Sequence, residues 1–112
     1  VRYRIAFYGS TPSYWPVFEH HGHGDLGRKL NQMTKDGKWD QIAAEIPDDL
    51  LHEFAAIARF DQLAGAVEKR FGGAADAIYA STSQDIRPQI PADVLQDIAR
   101  VPTAFQGFST DW

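Results

Sequence analysis

Apolar residues return at helical intervals in one segment after another of this 112-residue chain, and turn formers separate the segments. Leu26, Leu30 and Met33 stand at i, i+4 and i+7, one face of a helix that Asp25 caps and Gly37 stops. Trp39, Ile42 and Ile46 mark a short helix after it. Pro47, Asp48 and Asp49 open a stronger one, with acids near the positive end of the helix dipole. Leu50, Phe54 and Ile57 are its expected buried stripe. Asp61 caps the following helix, where Leu63, Val67 and Phe71 align, and Gly72-Gly73 ends it by supplying backbone at positive φ. Pro91 begins a last helix with Val94, Leu95 and Ile98 inward, closed by Pro102.

Two stretches are less one-sided. Val1, Tyr3, Ile5 and Phe7 alternate with other residues as in a half-buried strand, yet Ile5 and Tyr8 also share a helical face. The second stretch, Ala77-Ile78-Tyr79-Ala80, is the best strand in the chain, apolar throughout and flanked by turn formers. A lone strand leaves N–H and C=O groups unpaired on both edges, and each costs about 1–3 kcal/mol if buried unsatisfied. Partners for it must come from the missing part of a larger sheet or from a second copy of the chain. Phe105, Phe108 and Trp112 make the tail too apolar to stand in water, so it is expected to pack on something.

Composition narrows the function classes. A chain of this size is expected to form a single unit over residues 1–112. With 44% hydrophobic residues it can bury a modest core. A formal charge of −4 and a pI near 5.4 argue against a phosphate-tracking nucleic-acid binder. Cysteine is absent, which removes disulfides, thiolate metal sites and a Cys nucleophile. No apolar stretch approaches the roughly 18 residues of a membrane span, and no signal-peptide pattern opens the chain, so a cytoplasmic protein without membrane partners is expected. The first residue is Val1 rather than Met, from which an upstream segment is expected.

The richest candidate site lies between Tyr8 and Tyr14, where two phenols, the hydroxyls of Ser10 and Thr11 and a glycine surround a helix start at Pro12. Free N–H groups at such a start bind anions. The competing reading makes Tyr8 and Tyr14 core aromatics with satisfied hydroxyls. His20, His21 and His23 stand between Glu19 and Asp25, close enough to raise a metal site. Structural zinc ligands usually come as two separated pairs, and the second pair is missing here, so no metal is assigned. Glu45, Asp48, Asp49, His52 and Glu53 read as a solvated helix face. Gly72-Gly73-Ala74-Ala75 follows a helix and lacks a dinucleotide fingerprint, and the hydroxyls around Ser81 and Ser83 lack a nucleophile elbow. No residue is assigned a catalytic role.

The run from Arg4 through Ile5, Ala6, Phe7, Tyr8, Gly9, Ser10, Thr11, Pro12 and Ser13 to Tyr14 carries a resemblance. So do Pro16-Val17, the block from Glu19 to Leu26, and the tail elements Pro91-Ala92-Asp93-Val94-Leu95 and Arg100 to Phe108. In this order of aromatics, small residues and glycines the chain resembles the C-terminal end of the luciferase-like oxidoreductases that use a deazaflavin coenzyme. The resemblance covers nearly the whole chain. It implies a helix end near Gly9, and a mainly α fold: the helical C-terminal portion of a (β/α)8 barrel with one or two short strands. A complete barrel needs roughly 250 residues, so it is not a complete one.

The resemblance also implies a function. The parent enzyme would move hydride between a deazaflavin (or flavin) and a small organic substrate. Tyr8, Ser10, Thr11, Tyr14 and His21 would face the cofactor. This chain alone would be inactive, without bound cofactor, and completed by the rest of the barrel or by a second copy. The alternative is a short, self-associating helical protein with an interaction role and no catalysis. Two departures stand out. His23 replaces an aromatic within the family's His-Gly-Trp-Gly-Asp pattern, and Ala58-Arg59-Phe60-Asp61 replaces a glycine–proline turn between the two central helices. Without that corner the two helices are free to merge into one longer element.

Overall fold

The computed structural model describes residues 1–78 and 90–103. The contacts gather into two compact units, Val1–Ala55 and Ala56–Trp112. The described residues are mainly helical and contain no strand. Ala77 and Ile78, half of the expected strand, are irregular, while Tyr79 and Ala80 lie outside the described residues, as do the 81–89 segment and the tail aromatics. No helix among the described residues is long and apolar enough to cross a membrane.

The first unit opens with α1 (Arg2–Gly9). A 3-10 turn (Pro12–Tyr14) leads into α2 (Trp15–His20), and α3 (Gly24–Lys35) follows. A second 3-10 turn (Ile42–Glu45) then leads to α4 (Asp48–Phe54). The ambiguous first segment is therefore helix. Its helical register turns Ala6 and Gly9 inward and leaves Tyr3, Phe7 and Tyr8 at the surface. Small residues on the inner face let neighbouring elements approach closely. Leu30, Ile42, Ile46 and Leu50 are fully buried around that face, joined by Ala6, Phe18 and Leu51. Leu26 and Met33 flank Leu30 as the i, i+4, i+7 spacing requires. Each such side chain contributes roughly 1.5–3 kcal/mol by leaving water.

Two glycines set the helix spacing. A Cβ on Gly9 would lie 2.1 Å from Cζ of Phe18, and one on Gly27 would lie 2.5 Å from Cδ1 of Trp15 and 3.3 Å from the Gly9 carbonyl. The Trp15 indole rests on Gly27, and the Arg28 guanidinium lies over it, 4.7 Å from the ring centroid.

In the second unit, α5 (Phe60–Phe71) packs on α6 (Ala92–Ala99) through Val67 and Val94, both buried. Leu63, Phe71, Leu95 and Ile98 are half-buried. Both expected stops hold: Gly37 and Gly73 have φ of 75° and 71°. The 55–59 segment between α4 and α5 is irregular, with Ala55 and Arg59 extended, so the two helices do not merge. Arg59 fixes the start of α5 from an extended conformation, and its Nε donates to Asp61 at 3.2 Å within the first turn. Asp61 is thus one residue inside the helix rather than its cap. Asp25 likewise lies in the first turn of α3, one residue past Gly24. The expected stripe of Leu50, Phe54 and Ile57 holds only at Leu50; Phe54 and Ile57 are 39% and 45% exposed. α4 ends at Phe54, so the helical period stops before it can bring Ile57 round to the same face.

Candidate functional site

The outer face of α1 carries the site. Val1, Arg4, Ile5 and Tyr8 follow one another at helical spacing and form one wall of a cleft of about 430 Å³. Tyr14 from the 3-10 turn, Val17 and Phe18 from α2, and Phe54 from the end of α4 complete it. The lining is almost wholly apolar carbon, with Arg4 as its charged member. Tyr8 and Tyr14 meet edge to face, 5.2 Å between centroids and 63° between planes. Phe7 touches Tyr8 from the other side at 5.6 Å and reaches Trp39 at 6.2 Å. A chain of exposed aromatic rings therefore runs from Trp39 to Tyr14. Such rings bring large contact area and a preference for edge-to-face and offset partners.

The sequence placed five residues at the site, and the structure separates them. Tyr8 and Tyr14 line the cleft and are exposed by 47% and 43%, so neither is a core aromatic. His21 stands behind it, its ring 5.5 Å from that of Phe54. Ser10 is buried, and its hydroxyl donates to the Phe7 carbonyl at 2.7 Å. Thr11 takes the cap position in extended conformation, without a side-chain cap bond. Most of the expected anion cradle is used by the chain itself. Pro12 has no N–H, while the N–H groups of Thr11, Tyr14 and Trp15 donate to the carbonyls of Tyr8, Thr11 and Pro12. Asn31 donates to the Ser10 carbonyl at 2.8 Å.

Arg4, Val17 and Phe54 were not singled out from the sequence. Arg4 carried a readable signal, since it stands four residues before Tyr8 and shares its helical face. Phe54 carried a misleading one, because its spacing from Leu50 imitates a buried stripe.

The expected solvated face holds on α4, where Asp48, Asp49, His52 and Glu53 are exposed; Glu45 lies in the preceding 3-10 turn and is half-buried, and the acids also take ion-pair partners. Asp48 takes the Arg2 guanidinium, which also donates to the Ile46 carbonyl, and Glu45 takes Lys29 from α3. Asp49 lies 3.1 Å from Nε2 of His23, and Glu53 lies 3.8 Å from Nδ1 of His21. The histidines thus point to separate carboxylates, and among the described residues no three potential ligands converge as a metal would require. Surface pairs of this kind contribute about 0–1 kcal/mol each, but together they fix α4 and hence Phe54 against the turn that carries His21 and His23.

Asp49 supplies a pH test. The Leu50 N–H at the start of α4 holds its carboxyl below the ordinary value, and the contact with His23 adds to this. A depressed folded value means that the contribution is present above about pH 4, the unfolded carboxyl range, and is lost as pH falls through the folded value. Asp49→Asn is expected to flatten the acid limb of the stability profile below about pH 4. Melting temperatures measured across that range check this; an unaltered acid limb contradicts it.

No family model matches the chain, and no solved structure matches it. Among curated proteins it is 41% identical over 88 residues to the uncharacterized protein Rv1360 of Mycobacterium tuberculosis, and equally to the uncharacterized protein Mb1395 of Mycobacterium bovis. The match covers 76% of this chain and 26% of each relative. The chain spans about a quarter of the length of the curated relatives it matches. Because 88 residues make up 26% of a relative, each relative runs to about 340 residues.

Proposed function

We propose that this chain is the C-terminal portion of a luciferase-like oxidoreductase that transfers hydride between a deazaflavin (or flavin) and a small organic substrate, and that it is inactive by itself. The observation that carries the reading is the cleft. Two aromatics of the resembling block, Tyr8 and Tyr14, meet on an apolar wall suited to one side of a flat ring. The length of the relatives, about 340 residues, falls in the range of a complete (β/α)8 barrel and supports the same reading.

The fit is partial. The apolar wall suits a tricyclic ring, but the N–H groups of Ser10 and Thr11 already donate to the carbonyls of Ala6 and Tyr8 and offer nothing to a phosphate. A bound deazaflavin supplies the hydride chemistry, and the protein contributes orientation and the exclusion of water. Tyr8, Tyr14 and Phe54 would serve that purpose from one side only. The rest of the barrel would close the other.

Fluorescence titration with the deazaflavin tests this. The isolated 112-residue chain is expected to bind weakly or not at all, and a relative of about 340 residues to bind and to support hydride transfer. Submicromolar binding by the isolated chain would mean that the cleft is a complete site. Absence of binding by the full-length relative would overturn the assignment. The exposed ring chain from Trp39 to Tyr14 favours a second reading, a self-associating helical protein without catalysis. Under that reading the chain sediments as a dimer at micromolar concentration and the relative transfers no hydride.

A further inference from the structure

We draw no further inference here: the strongest candidate, the exposed aromatic patch of Tyr3 and Phe7 on α1 with Trp39 beside Phe7, is an unpartnered apolar face, and nothing in the structure shows what covers it.

Discussion

Leu30→Ala is expected to cost the Val1–Ala55 unit most of its stability. Leu30 is 0% exposed at the centre of α3, with Ile42, Ile46 and Leu50 equally buried around it. Removing a buried leucine side chain costs about 2–5 kcal/mol, transfer and cavity terms together. A unit of this size has little to spare, since folded chains hold only roughly 0.05–0.15 kcal/mol per residue. Amide hydrogen exchange in peptides from residues 1–55 reads the effect without interference from the second unit. Protection should fall by at least about thirtyfold, the equivalent of roughly 2 kcal/mol. A fall of less than about threefold would show that Leu30 is not the centre of this core.

Gly9→Ala and Gly65→Ala are expected to act with opposite signs. Both put a methyl group on a helix, and alanine is favoured over glycine there by about 0.5–1 kcal/mol. At Gly65 nothing lies within 4 Å of the new Cβ, so the gain should appear as higher stability of α5. At Gly9 the new Cβ meets three Phe18 ring carbons at 2.1, 2.7 and 2.8 Å, and Phe18 is a buried member of the core that must shift to admit it. Overpacking of this kind costs about 1–3 kcal/mol, which outweighs the gain in helix preference at the last residue of α1. Phe18→Leu added to Gly9→Ala should recover part of the loss, a non-additive pair as expected for residues in contact. Two variants that shift stability in the same direction would refute the close approach of α1 and Phe18.

Most of the helices were legible in the sequence because helix formation is decided over a few neighbouring residues. Leu26, Leu30 and Met33 announced α3, Leu63, Val67 and Phe71 announced α5, and Val94 with Leu95 and Ile98 announced α6. The stops at Gly37 and Gly73 were readable for the same reason, since a backbone at positive φ is a local demand that glycine meets. Reading the period too far produced the errors. Phe54 continues the spacing of Leu50, but it sits at the last residue of α4 and opens onto the cleft. The loss of a glycine–proline corner left a merger of α4 and α5 open, yet Arg59 in an extended conformation breaks the chain there without either residue.

The candidate site divides along the same line. That the chain from Tyr8 to Tyr14 was unusual could be read from residue types alone. Which of its groups face outward could not, because that depends on packing. Ala6 and Gly9 are the residues of α1 small enough to lie against Phe18 and the second 3-10 turn, so helical geometry forces Phe7 and Tyr8 to the surface. Ser10 follows Gly9 inward and spends its hydroxyl on the Phe7 carbonyl. That the acids of α4 are exposed was legible, but their partners Arg2, His21 and His23 were not, because these are distant in sequence and meet them only through the fold. By itself the sequence determined most of the helices and the glycine stops at Gly37 and Gly73. Only the tertiary structure decided which face of α1 is buried, and with it that Arg4, Tyr8, Tyr14 and Phe54 share one apolar cleft, because burial is settled by contacts across the chain and not by neighbours along it.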